Sequence, residues 1–129
     1  MVEKTTEVRN PLLLGVKMFL ADAIYYVNMR YDYDKHNCGH FAKNVQDAAT
    51  KRGIRCGYVL INSKDSEIGH AIVAFETDYG LRFFEPQSAE EKDVIVGHCY
   101  SAYLSGISDD IIISKVEIIW NDSTKTIIE

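Results

Sequence analysis

The sequence is poor in several features that define common protein classes. Its 129 residues include only three cysteines, and three thiols cannot all pair with one another in disulfides. The first residues lack the basic start, apolar run and small-residue cleavage site of a secretory signal. We therefore expect no disulfide framework, and a reduced, cytoplasmic location is the default expectation.

Positive charge is also scarce. The chain has 14 Lys and Arg against 19 Asp and Glu, a formal net charge of −5, and it contains no basic run. Because proteins bind phosphate backbones mainly with clustered cations, nucleic acid is not expected as a partner. A hydrophobic content of 47% and a charged content of 26% are ordinary for a globular protein, and we assign residues 1–129 to a single domain.

Long apolar runs are missing as well. The segment that comes closest, residues 12–27, is interrupted by Lys17 and Asp22, and it is shorter than the roughly 20 apolar residues that cross a bilayer. Asn10 and Pro11 in front of it are typical of a helix start, and the apolar residues that follow recur at helical spacing. This pattern predicts an amphipathic N-terminal helix that packs on the core, with no membrane as a partner.

The most informative stretch that is present lies at residues 37–42. Asn37 suits the N-cap of a helix, and Gly53 suits its C-terminal end, so the sequence predicts a helix over residues 38–52. A cysteine in the first turn of a helix lies at the positive end of the helix dipole, which favours the thiolate. Cys38 is therefore a candidate nucleophile, although a lone cysteine is also commonly a small buried apolar residue.

A second informative stretch begins at His70. The segments 70–76 and 81–85 are rich in β-forming residues and predict the two strands of a hairpin. If the turn has an even number of residues, His70 shares a face with Glu85 and Gln87, and the Cβ atoms of the first two lie roughly 7–8 Å apart. A three-residue loop would instead move Glu85 to the other face.

The remaining segments carry weaker signals. Residues 54–62 and 111–120 predict strands. The second is expected to be the final strand and to be central or well covered, because its apolar residues occur on both faces. Cys56 is expected to be a buried structural thiol within the first of these. The segment 94–104, which contains the pair His98-Cys99, does not indicate one type of secondary structure, and the polar residues after the last strand predict a tail.

A thiol, an imidazole and a carboxylate in this order form a nucleophile, a base and an orienting group. His70 would accept the proton of Cys38, and Glu85 would fix the tautomer of the imidazole and stabilise its cation. Tyr33 and Gln87, together with the backbone N–H of Cys38, are candidates for oxyanion or substrate binding. This chemistry requires no cofactor, and we expect no bound metal.

The same residues resemble the motif around the nucleophile of transglutaminase-like proteins. The matching segments are Cys38-Gly39-His40-Phe41-Ala42, residues 48–55, Gly69-His70-Ala71 and Phe84-Glu85-Pro86-Gln87. The resemblance implies a papain-like α+β fold, in which the cysteine-bearing helix packs on an antiparallel β-sheet, here with an additional N-terminal helix. It further implies a peptide or amide-containing substrate and acyl transfer or hydrolysis through a thioester, with Cys38 as nucleophile, His70 as base and Glu85 as the third member of the triad.

The chain also departs from that family pattern. Glu85 stands where the usual acid is aspartate, Ile72 stands where many members have tryptophan, and no tryptophan precedes Cys38 to act as an oxyanion donor. These departures concern the substrate class more than the fold. The sequence does not indicate whether water or an amine resolves the thioester, nor the oligomeric state.

Two alternative interpretations follow from the same residues. In the first, a non-catalytic binding domain on the same fold keeps the triad residues as a polar core. In the second, His36, Cys38 and His40 bind zinc together with His98-Cys99, since imidazole and thiolate are the ligands that zinc prefers. The second is limited by geometry, because positions 38 and 40 of a helix point about 200° apart.

Overall fold

The structure is a computed structural model, and it describes residues 7–29, 38–63, 70–100 and 111–129; within these ranges, the side chains of residues 24–29, 38 and 111 are outside the description. Within these ranges two helices come first and seven strands follow, which confirms an α+β fold. The elements are α1 (Leu13–Met29), α2 (Cys38–Lys51), β1 (Gly57–Ser63), β2 (His70–Thr77), β3 (Gly80–Phe84), β4 (Glu91–Lys92), β5 (Cys99–Tyr100), β6 (Ile111–Trp120) and β7 (Lys125–Ile128).

The strands form one antiparallel sheet in the order β4-β3-β2-β1-β6-β5, with β7 also paired to β6. β6 is central, as predicted, because β1 lies on one side of it and β5 and β7 lie on the other. One expectation for this part of the chain is wrong. β6 is not the last strand, since the residues expected to be a polar tail include β7.

The two faces of the sheet carry separate apolar clusters. Toward the helices, Ala71, Val73 and Phe75 of β2 pack in one cluster with buried residues of α1 and α2. The alternate β2 residues Ile72 and Ala74 belong to a second cluster. This cluster is built mainly from strand residues, among them Tyr100 of β5. The main strand contacts of α2 are with β2 and β1, and α1 packs on α2. The helices therefore cover one face, and the strands themselves enclose the other.

Helix α2 has the bounds that the sequence indicates. Its predicted apolar face is buried at Phe41, Ala42, Val45 and Ala49. The helix ends at Lys51, and Gly53 follows with a φ of +71°, a conformation that residues with a Cβ rarely adopt. The N–H of Ile54 then donates to the Ala49 carbonyl at 2.9 Å, closing the C-terminal turn.

Helix α1 starts differently from the prediction. It begins at Leu13 rather than next to Asn10, and the N–H of Leu13 donates to Oδ1 of Asp78 at 2.7 Å. Asn10 instead accepts a hydrogen bond from Arg55 at 3.2 Å. The capping group thus comes from the distant β2–β3 turn. The residues around the helix start cannot indicate an acceptor so far away in the sequence. Neither helix in the described part of the chain is long and apolar enough to cross a bilayer.

The distant cap predicts a stability effect at Asp78. Replacing Asp78 with Ala removes the acceptor for the first turn of α1, and loss of such a cap typically lowers the free energy of unfolding by about 1 kcal/mol. Urea denaturation of the wild type and of Asp78→Ala measures this difference. The control is Asp93→Ala, an exposed aspartate for which we expect a change within about 0.5 kcal/mol. Equal midpoints for Asp78→Ala and the wild type would show that the cap contributes nothing.

Candidate functional site

The turn of the β2–β3 hairpin has an even number of residues, which is the condition for His70 and Glu85 to share a face. Thr77 pairs with Gly80 and Glu76 with Leu81, so two residues connect the strands. Gly80 has a φ of +89°, a conformation open mainly to glycine. This register puts the first residue of β2, His70, on the same face of the sheet as Glu85, which lies one residue beyond β3.

His70 and Glu85 are in direct contact. Nε2 of His70 lies 3.0 Å from Oε1 and 3.3 Å from Oε2 of Glu85. Both side chains are largely shielded from solvent, with 11% of the His70 side chain and 6% of the Glu85 side chain exposed. The backbone around the acid is also fixed, because the Glu85 N–H donates to the Glu90 carbonyl at 2.8 Å and the Ala89 N–H donates to the Glu85 carbonyl at 2.9 Å. Two of the predicted site residues thus form a buried pair.

Tyr100 is a third member of this cluster, and sequence reasoning missed it. Its hydroxyl donates to Oε1 of Glu85, and its ring centroid lies 5.3 Å from that of His70 at an interplanar angle of 41°. Tyr100 is fully buried and lies on β5, a strand of two residues that forms only by pairing with Ile111 and Ile112 of β6. A strand this short has almost no periodic signal, so no local pattern could have indicated it.

The contact between Tyr100 and Glu85 also shows that the sheet is curved. In the strand order, β3 and β5 are separated by β2, β1 and β6, so in a flat sheet they would lie roughly 19 Å apart at about 4.8 Å per strand. Nevertheless, the side chain of Glu85, which follows β3, accepts a hydrogen bond from the side chain of Tyr100 on β5. The sheet therefore curls so that β3 and β5 approach each other across the second apolar cluster.

The Glu85 carboxyl is held in its ionised form. Burial alone would raise its pKa, but hydrogen bonds from His70 and Tyr100 and the positive charges of His70 and Lys92 together lower the pKa below its ordinary value of 4.5. An ionised carboxylate can only accept hydrogen bonds, so Nε2 of His70 carries the proton in this contact. Nδ1 is then the ring nitrogen that can act as a base when the imidazole is neutral.

Cys38 is the first residue of α2, as predicted, and only its backbone is described. The helix that carries it is anchored near its other end, where Nε2 of the buried Gln46 donates to the carbonyls of Cys56 and Ile119 at 3.1 and 2.8 Å. These bonds tie α2 to the segment before β1 and to the end of β6.

The strand register places His70 on the face of the sheet that α2 does not cover. His70 pairs with Ile61, and directly paired residues share a face. Ile61 belongs to the second apolar cluster, whereas α2 packs on the first. Because His70 is the first residue of β2, its ring lies at the end of this face.

The structure describes one of the two other candidate residues. Gln87 lies in the turn after Pro86 and is partly buried, and Tyr33 lies outside the described residues. Cys56 is fully buried, and desolvation strongly raises the pKa of its thiol, as expected for a structural cysteine.

Three of the residues considered for a zinc site have described side chains. His40, His98 and Cys99 are exposed, and His36 falls in the gap between α1 and α2 that the structure does not describe. Where side chains are described, no group of three His, Cys, Asp or Glu residues is arranged to hold a metal ion.

Neither known protein families nor curated proteins yield a match to this chain. The function is therefore inferred from the side chains of the site itself.

The lowered pKa of Glu85 predicts how stability depends on pH. A carboxyl whose pKa is lower in the folded than in the unfolded state stabilises the fold above the unfolded value of 4.5, and this contribution is lost as the pH falls through the folded pKa. Glu85→Gln cannot make this contribution at any pH. We expect it to be less stable than the wild type at pH 7 by about 1.5–3 kcal/mol, a typical contribution of hydrogen bonds to a charged group.

Chemical denaturation at several pH values between 7 and 3 tests this expectation. The stability gap between the wild type and Glu85→Gln should narrow as the pH falls below about 4.5, the unfolded value. Glu90→Gln removes a neighbouring, exposed carboxylate and serves as the control, with little change expected at pH 7. A gap for Glu85→Gln that stays constant over the whole range would mean that Glu85 titrates in the same way in the folded and unfolded chains.

Proposed function

We propose that this protein is a cysteine-dependent enzyme of the transglutaminase-like, papain-like type. It transfers an acyl group or hydrolyses a peptide or amide bond through a thioester, using Cys38, His70 and Glu85, in a compartment where thiols stay reduced. The observation that carries the proposal is the buried contact of 3.0 Å between Nε2 of His70 and Oε1 of Glu85, from adjacent parts of a hairpin. A base oriented by a carboxylate is the arrangement that activates a nucleophile.

The chemistry follows from the roles of the three groups. Nδ1 of His70 takes the thiol proton of Cys38, and the sulfur attacks the carbonyl carbon of the substrate. The tetrahedral intermediate collapses as the imidazolium returns its proton to the leaving amine, which leaves a thioester on Cys38. Water or a second amine, deprotonated by His70, then cleaves the thioester. Glu85 stabilises the imidazolium in each half-reaction, and the backbone N–H of Cys38, Tyr33 and Gln87 are the candidate oxyanion or substrate-binding groups.

The anchoring of α2 supports a position of Cys38 at the same end of the sheet as His70. Gln46 binds the carbonyl of Cys56, just before β1. Going back along α2 from Gln46 to Cys38 covers about 12 Å at 1.5 Å per residue. Going along β1 from Cys56 to Ile61, the partner of His70, covers about 16 Å at 3.3 Å per residue. A helix that runs along β1 therefore starts near the end of the sheet where His70 lies.

The second candidate function is a non-catalytic binding domain with the same residues as a polar core. It is favoured by the position of His70 on the face that α2 does not cover. It is also consistent with the complete hydrogen bonding of this interior, since no described buried side-chain nitrogen or oxygen is left without a partner. The two functions differ in one property that can be measured, the coupling between His70 and the Cys38 thiol.

The proposed enzyme predicts a reactive Cys38 thiolate that depends on His70. Alkylation by iodoacetamide is followed by mass spectrometry of the Cys38 peptide across pH 4–9. In the wild type, the thiolate should persist well below the free-thiol pKa of about 8.5, because it is paired with the imidazolium. In His70→Ala, the midpoint should move up toward about 8.5.

The exposed Cys99 is the internal control, since its labelling should be the same in the wild type and in His70→Ala. Buried Cys56 should label only when the protein unfolds. If the midpoint for Cys38 lies near that of a free thiol and does not respond to His70→Ala, the binding-domain function replaces the enzyme.

Activity on a panel of small amides and peptides tests the roles separately. Cys38→Ala should abolish acyl transfer, and His70→Ala should lower it about 10²–10⁴-fold, the usual contribution of a general base. Glu85→Gln should reduce turnover without eliminating it. Asp93→Ala, which alters an exposed carboxylate outside the buried cluster, is the matched control. Turnover at the wild-type rate in Cys38→Ala would remove the mechanism.

A further inference from the structure

We propose that Tyr100 is a positioning residue of this site, which acts on His70 through Glu85. This inference rests on the proposed function, and it adds a fourth residue that the nucleophile, base and acid do not include. Tyr100 contacts two of these three, the acid and the base, since its hydroxyl donates to Oε1 of Glu85 and its ring lies against the imidazole of His70.

The hydrogen bonds of Glu85 show why the hydroxyl matters. Oε1 accepts from the hydroxyl of Tyr100 and is also the nearer oxygen to Nε2 of His70, at 3.0 Å. A carboxylate with one rotatable bond more than aspartate has more freedom to turn away from the imidazole. The phenol, fixed by its burial, removes that freedom because it approaches from a different strand than His70 does.

The same hydroxyl keeps the carboxyl charged. Glu85 is nearly buried, and desolvation acts against its ionised form, while donors to that form act in its favour. Without the Tyr100 donor, Glu85 takes up a proton at a higher pH. A protonated Glu85 no longer stabilises the imidazolium of His70, so the imidazolium–thiolate pair with Cys38 would revert to the neutral pair as the pH falls.

Tyr100→Phe removes the hydroxyl and keeps the ring, so it separates this role from packing. Carboxyl ¹³C NMR of glutamate-labelled protein measures the Glu85 pKa, and the alkylation rate of Cys38 is measured at pH 7 and at one pH unit below the Glu85 pKa found in the variant. We expect the Glu85 pKa to rise in Tyr100→Phe. We also expect the ratio of wild-type to variant rates to grow about three- to tenfold between these two pH values, since one pKa unit corresponds to a factor of ten.

Tyr79→Phe, which removes the hydroxyl of an exposed tyrosine, is the matched control and should change neither quantity. If Tyr100→Phe does not fold, wild-type protein made with 3-fluorotyrosine, a stronger donor, should show a lowered Glu85 pKa. An unchanged Glu85 pKa in the folded variant or in the fluorinated protein overturns the inference, whatever Cys38 does.

A raised Glu85 pKa combined with a rate ratio that is the same at both pH values overturns it as well, because Tyr100 would then stabilise the fold without acting on the site. In that case the alkylation of Cys38 in His70→Ala tests the proposed function separately. If Cys38 still responds to His70→Ala, the enzyme stands without Tyr100. If it does not, the enzyme fails too.

Discussion

The structure depends on a carboxylate that is almost completely buried. Placing an ionised group away from water is costly unless donors and opposite charge compensate it. Glu85 has both, since His70 and Tyr100 bind its oxygens and Lys92 contributes positive charge. Its two hydrogen-bond partners come from two other strands, β2 and β5, so the hairpin and β5 must meet around it. The curl of the sheet and the chemistry of the site are therefore two consequences of one interaction.

This arrangement makes the charge state of one group relevant to stability and to the proposed function. As long as Glu85 is ionised, the imidazole is held by Nε2 and presents Nδ1 as its basic nitrogen. When Glu85 is protonated, it loses its negative charge and one of its oxygens becomes a donor, so the contacts that join β2, the end of β3 and β5 weaken together. A site of this kind is rigid at neutral pH because its members satisfy one another, which is what a base oriented for proton transfer requires.

The part of the structure that follows local rules could be predicted from the sequence. The end of α2 at Gly53, the two-residue turn before Gly80 and the shared face of His70 and Glu85 each depend on residues close together in the chain. The cap of α1 by Asp78 and the contact of Tyr100 with Glu85 could not be predicted. Both join segments far apart in the chain, and β5 has only two residues, so its existence depends on β6 rather than on its own composition. The transglutaminase-like identity and the role of Cys38 remain predictions.

The central claim is that the Cys38 sulfur and the His70 imidazole meet at the end of the sheet where Glu85 is buried. Dibromoacetone tests it directly, because one of its bromomethyl carbons alkylates a thiolate. The other bromomethyl carbon can then react only with a second nucleophile that lies within the length of the reagent. After reaction at pH 6 and proteolysis, mass spectrometry should find the peptide of Cys38 cross-linked to the peptide of His70. This cross-link should be absent in His70→Ala. A Cys38 peptide that carries only the singly attached, hydrolysed reagent, in protein that is still folded, would contradict the account.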